Sequence, residues 1–182
     1  MIIIVSVIAV LFTVLLGLFI FRAYFPADRI SYDIADWETF QETYPFLPSV
    51  SQMGDYTELT SKHLHRDVLF LSSDTYILKA VYSEDIFDRQ MEDFENNYKF
   101  QQTVIDNHGE KTIERDAFFK LDGYDFRILA LEEYDISYPK QIVFVGFSSE
   151  ENTIAFVSFF DKDIDYIGRP FEEFLIKECN WK

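Results

Sequence analysis

The first 21 residues carry eighteen apolar side chains and no charge, interrupted by Ser6, Thr13 and Gly17. A run of this kind satisfies its backbone polar groups internally when helical, and at about 1.5 Å per residue it reaches roughly 30 Å, the depth of a bilayer core. The expectation is one transmembrane anchor over residues 1–25, followed by a single acidic domain over residues 26–182. A cleaved secretory signal fits less well, because nothing basic precedes the run and bulky residues occupy the positions where cleavage would fall. Arg22 is placed to snorkel, Tyr24 and Phe25 to sit at the interface, and Pro26 to end the helix. A single-pass protein of the cell membrane follows, touching the lipid bilayer through residues 1–25.

Charge narrows the partners. The chain has 32 acidic and 16 basic residues, a formal net charge of -16. Such a field repels nucleic acid and anionic headgroups, so no nucleic-acid partner is expected. It also keeps an aromatic-rich chain in solution, and the 20 Phe, 11 Tyr and 2 Trp are ample material for a core. Cys179 is the one cysteine, which excludes an internal disulfide framework.

The pattern over residues 28–44 reads as a helix capped by Asp36, with Trp37, Phe40 and Tyr44 at helical spacing and Pro45 and Pro48 beyond it. A loop over 49–61 leads to a hairpin of strands 68–71 and 75–82 around Ser72-Ser73-Asp74. Ser83, Glu84 and Asp85 open an amphipathic helix bearing Phe87, Met91, Phe94 and Tyr98. Strands are expected at 100–105, 113–121, 126–131, 141–147 and 153–160, with a turn at Asp122-Gly123. The last two are apolar on both faces, which predicts central strands or a face reserved for a partner. Pro170 starts a closing helix with Phe171, Phe174 and Leu175. The fold class is therefore α+β: an antiparallel sheet of five to six strands with packed helices, preceded by one transmembrane helix.

Two constellations could hold a metal. Asp161, Asp163 and Asp165 alternate, and Glu172 is twelfth counting from Asp161, the spacing at which a calcium loop places oxygen donors. Tyr166 stands where the loop needs glycine, and Pro170 intrudes; the plainer reading is a solvated rim. His63-Leu64-His65-Arg66-Asp67 resembles the opening of the His-x-His-x-Asp-His zinc motif of metallo-hydrolases, but Val68 replaces the final histidine. A three-histidine zinc would need His108 to join them. The plainer reading puts His63, His65 and Asp67 on one solvated strand face. Nucleophile elbows, Cys-x-x-Cys pairs and phosphate loops are absent from the sequence, so no catalytic residue and no cofactor is assigned and the chain is not expected to be an enzyme.

Tyr44-Pro45-Phe46-Leu47-Pro48, the 70–82 hairpin with its following helix, Tyr138-Pro139-Lys140, Val145-Gly146, Thr153-Ile154-Ala155 and Asp163-Ile164-Asp165-Tyr166-Ile167 are similar to a group of uncharacterised membrane-anchored or exported proteins of Clostridia-like Gram-positive bacteria. The resemblance spans most of residues 40–167 and implies a membrane-anchored or exported domain with no assigned activity; the domain is expected to be extracytoplasmic. An aromatic-rich chain without a catalytic constellation leads to the expectation of a non-catalytic module at the cell surface that binds a protein or peptide. The alternatives are a metal-dependent hydrolase or calcium-stabilised domain, and an accessory subunit of a membrane complex.

Overall fold

A computed structural model describes residues 2–24, 27–68, 71–108, 111–131, 141–161 and 170–182. The chain opens with helix α1 (Ile2–Tyr24), whose described large apolar side chains are exposed. Among the described residues no helix is long and apolar enough to cross a membrane. The expected transmembrane anchor is corrected on that finding, and with it the single-pass location, the extracytoplasmic placement, the bilayer contact and the membrane-complex alternative.

The remaining elements, in chain order, are strand β1 (Ala27–Ser31), helix α2 (Ile34–Thr43), a 3-10 turn (Val50–Met53), β2 (Glu58–Val68), β3 (Leu71–Val81), α3 (Glu84–Asn97), β4 (Thr103–His108), β5 (Lys111–Asp116), β6 (Phe118–Leu121), β7 (Tyr124–Ile128), β8 (Gln141–Ser148), β9 (Thr153–Asp161) and α4 (Phe171–Lys177). Seven strands form one antiparallel sheet in the order β1-β2-β3-β9-β8-β7-β6, and β4 and β5 form a separate pair. The α+β class and the antiparallel sheet stand. The sheet expected to hold five to six strands holds seven, and the seven strand segments read from the sequence become nine among the described residues, because residues 27–31 pair as an edge strand and residues 111–121 break into β5 and β6.

Helices cover both faces of the sheet. On one, α2, the 3-10 turn and α3 deliver Trp37, Phe40, Met53, Phe87 and Phe94 onto Leu78, Val145 and Phe156. On the other, α4 and the C-terminal residues bring Phe171, Phe174 and Trp181 against Phe126, Phe144 and Val157. The apolar faces of β8 and β9 are thus both covered, so of the two readings their sequence offered, central strands or a face reserved for a partner, the first is the one observed. Burying each large aromatic contributes about 1.5–3 kcal/mol. Two buried aromatic donors are answered by loop carbonyls: Trp37 Nε1 donates to the Pro48 carbonyl at 3.0 Å and the Tyr82 hydroxyl to the Met53 carbonyl at 2.8 Å.

Local chemistry sets the ends. Asp33, not Asp36, caps α2, its carboxylate accepting from the Ala35 N–H at 3.0 Å. Between β6 and β7, Asp122 (φ 51) and Gly123 (φ 83) make the two-residue turn that matches strand twist. At the sheet centre, a Cβ at Gly146 would lie 2.5 Å from the Phe126 ring, so glycine is what lets β8 pass that aromatic.

The β2–β3 hairpin differs from its expectation. Ser72, Ser73 and Asp74 are not a turn: they pair with Asp67, Arg66 and His65 inside the ladder. That shift in register decides what lies beside the histidines.

Candidate metal centre

Side chains alternate across a strand, so His63, His65 and Asp67 of β2 share one face. The antiparallel register sets Asp74 of β3 directly opposite His65 and Tyr76 opposite His63, adding both to that face. All are partly buried, and α2 lies over the His63–Tyr76 end of the face.

His63 Nε2 lies 2.9 Å, and His65 Nδ1 2.8 Å, from the same oxygen, Asp74 Oδ1. The three donors converge closely enough to hold one metal ion, with their ligand atoms within 4.8 Å of one another. The outer nitrogen of each ring also meets a carboxylate. His65 Nε2 is 3.0 Å from Asp67 Oδ1, and His63 Nδ1 is 3.9 Å from Asp36 Oδ2 of α2. Arg29 of β1 holds the other oxygen of Asp67 at 3.2 Å.

Aromatic packing fixes one ring. The Tyr76 ring lies 4.1 Å from that of His63 at an interplanar angle of 8°, and Phe40 stacks on the far side of Tyr76 at 3.9 Å and 8°. Asp36 and Phe40 are four residues apart on α2 and so face the sheet together. The stack restricts the tilt of His63, and the carboxylates restrict the rotation of both imidazoles about their own planes.

Without a metal the cluster is a salt-bridge network. Burial alone lowers the pKa of His65, but hydrogen bonds and charge from Asp74 and Asp67 outweigh it and raise the pKa above the usual histidine value. Burial alone raises that of Asp74, and the hydrogen bonds and charges of His63 and His65 reverse the effect, holding it below the usual carboxylate range. The Tyr76 hydroxyl is pushed up to about 12 by burial and by the nearby Asp74 and Asp36 charges.

Two imidazole nitrogens and a carboxylate oxygen form a donor set suited to borderline divalent cations such as zinc. At bond lengths of about 2.1 Å, tetrahedral donors sit roughly 3.4 Å apart. The observed 2.8 and 2.9 Å separations would open by about half an ångström when a cation takes the place of the shared protons. Three protein donors leave a fourth position for water.

The sequence pointed to His63 and His65 but missed Asp74, which it placed in a turn. His108 ends β4, in the separate two-stranded sheet, and its side chain lies outside those described. Of the calcium-loop residues, Asp163 and Asp165 lie outside the described residues. Asp161 is buried at the end of β9 opposite Ser73, not on a solvated rim, and Glu172 is in the first turn of α4.

No family model, no curated protein and no solved structure matches the chain. The resemblance to membrane-anchored or exported Clostridia-like proteins therefore has no support from homology and is corrected. The cell-surface protein-binding role falls with the anchor that placed it there, and the His63–His65–Asp74 cluster favours the metal-binding alternative.

Proposed function

We propose that this protein binds a divalent transition cation of the zinc class at His63, His65 and Asp74. One observation carries the reading: three donors of the right chemistry, from two adjacent strands, converge on a single point. The nitrogen majority favours zinc-like cations over calcium, which takes six to eight oxygens. The acidic chain adds a field that concentrates cations near the site. When bound, the metal would supply Lewis acidity at the position left to water. Residues 26–182 are read as one folding unit, supported by two cores that share β8 and β9.

Calorimetric titration of the chelator-treated full chain tests this. Zinc is expected to bind with one-to-one stoichiometry and to release protons, because it displaces hydrogens that now bridge the imidazoles to Asp74. His63→Ala, His65→Ala and Asp74→Ala should each abolish the site. Unchanged binding in all three overturns the proposal. If calcium binds in place of zinc and Asp163→Ala removes it, the loop through Asp161, Asp163, Asp165 and Glu172 is the metal site instead.

A further inference from the structure

The two inner ring nitrogens are of different kinds, Nε2 on His63 and Nδ1 on His65, and each outer nitrogen faces a carboxylate of its own. We infer that Asp67, clamped by Arg29, and Asp36 are positioning residues that dictate which nitrogen of each histidine meets the cation. The inference rests on the metal-binding reading above and deepens it.

A metal-bound imidazole keeps one proton, on the nitrogen away from the metal, and a carboxylate accepting that proton fixes both tautomer and ring orientation. Asp67 is built for this at His65. Its Oδ1 lies 3.0 Å from Nε2, while its Oδ2 accepts from the Arg29 guanidinium at 3.2 Å, so both oxygens are committed and the carboxylate plane is set. His65 then presents Nδ1 inward, to the point where Asp74 Oδ1 now sits. At His63, Asp36 faces Nδ1 from α2 at the longer distance of 3.9 Å, and the Tyr76 stack supplies the rest of the restraint. Nε2 is left for the cation. The arrangement also ties the site to its surroundings, since β1 supplies Arg29, α2 supplies Asp36 and the hairpin supplies the donors. Asp67 is therefore the stronger positioning group and Asp36 the weaker.

The experiment uses the full chain labelled with 15N in histidine and titrated with zinc alone. Long-range 15N–1H correlation spectra separate zinc on Nδ1 from zinc on Nε2, and they are expected to show Nδ1 coordination at His65 with Nε2 coordination at His63. Asp67→Ala should weaken zinc binding by about 10- to 100-fold. Asp67→Asn, whose amide oxygen still accepts from Nε2–H, should recover most of the loss. Arg29→Ala, which frees Asp67 without touching the imidazole, should cost less than Asp67→Ala. Asp125→Ala removes the same charge on β7 and should leave affinity unchanged. Melting in chelator checks that each variant is folded. Zinc bound through Nε2 of both histidines, or an Asp67→Ala affinity within twofold of the parent, overturns this inference and leaves the metal site standing. A parent chain that takes up no zinc overturns both.

Discussion

The β8–β9 ladder and the β2–β3 ladder belong to one sheet, yet they solve opposite problems. The first is sealed on both faces by helices, and its central pairs include Phe144 with Val157 and Val145 with Phe156, so volume and shape dominate there. The second reaches the flank of the sheet, where α2 covers it only in part and a partly buried face collects two imidazoles and two carboxylates. Backbone pairing is the same in both. What differs is how completely helices cover the strands, and that difference turns one ladder into a core and the other into a donor array.

Mutations at the centre should break stability without reshaping the flank. Phe156→Ala removes a fully buried ring packed against Trp37, Phe94 and Tyr98, and is expected to cost about 3–5 kcal/mol in denaturant unfolding. Molecules that stay folded should keep their zinc affinity within a few-fold. A large loss of affinity in the folded fraction would show the two ladders to be coupled.

Zinc should act in the opposite sense. At a hundredfold excess over Kd it adds about 2.7 kcal/mol to stability, read as a rise in Tm that disappears in Asp74→Ala. Gly146→Ala should cost about 1–3 kcal/mol, because its methyl must displace the Phe126 ring, and should leave the zinc-induced rise intact.

The smallest effect is that of pH on the chelated protein. The raised pKa of His65 contributes stability that is fully present below its unfolded value of 6.5 and is lost as pH rises through the folded value. The lowered pKa of Asp74 contributes stability that is present above its unfolded value of 3.8 and is lost as pH falls through the folded one. The two overlap between about pH 4 and 6.5. There His65→Gln should cost about 0.5–1 kcal/mol, and progressively less as pH rises through the folded value. A constant difference across that range would mean that the pairing of His65 with Asp74 contributes nothing.

The central ladder was the more legible of the two in sequence. Uninterrupted apolar runs marked β8 and β9, and Asp122-Gly123 marked a turn that the positive φ values of both residues bear out. The flank was harder for physical reasons. Asp28-Arg29-Ile30-Ser31 has no strand periodicity of its own; it pairs because Asp28 reaches Arg66 and Arg29 reaches Asp67 across the ladder. Ser72-Ser73-Asp74 has turn composition, but it lies opposite His65, Arg66 and Asp67, whose polar groups suit a polar neighbour strand. Spacing along one strand could reveal His63 and His65 as a same-face pair. The third donor depended on register between strands, which no local pattern encodes.

The donors all lie within one hairpin, His65 and Asp74 being nine residues apart. The other neighbour of β3, the central strand β9, follows only after α3 and five further strands have been made. Contacts between residues close in sequence form before distant ones, and chains emerge from the ribosome N-terminus first. The proposed metal centre can therefore assemble on the nascent chain while the strand that completes the core has yet to be synthesised. A cation captured at that stage would lock the β2–β3 register early, so that the rest of the sheet grows on a template already in its final alignment.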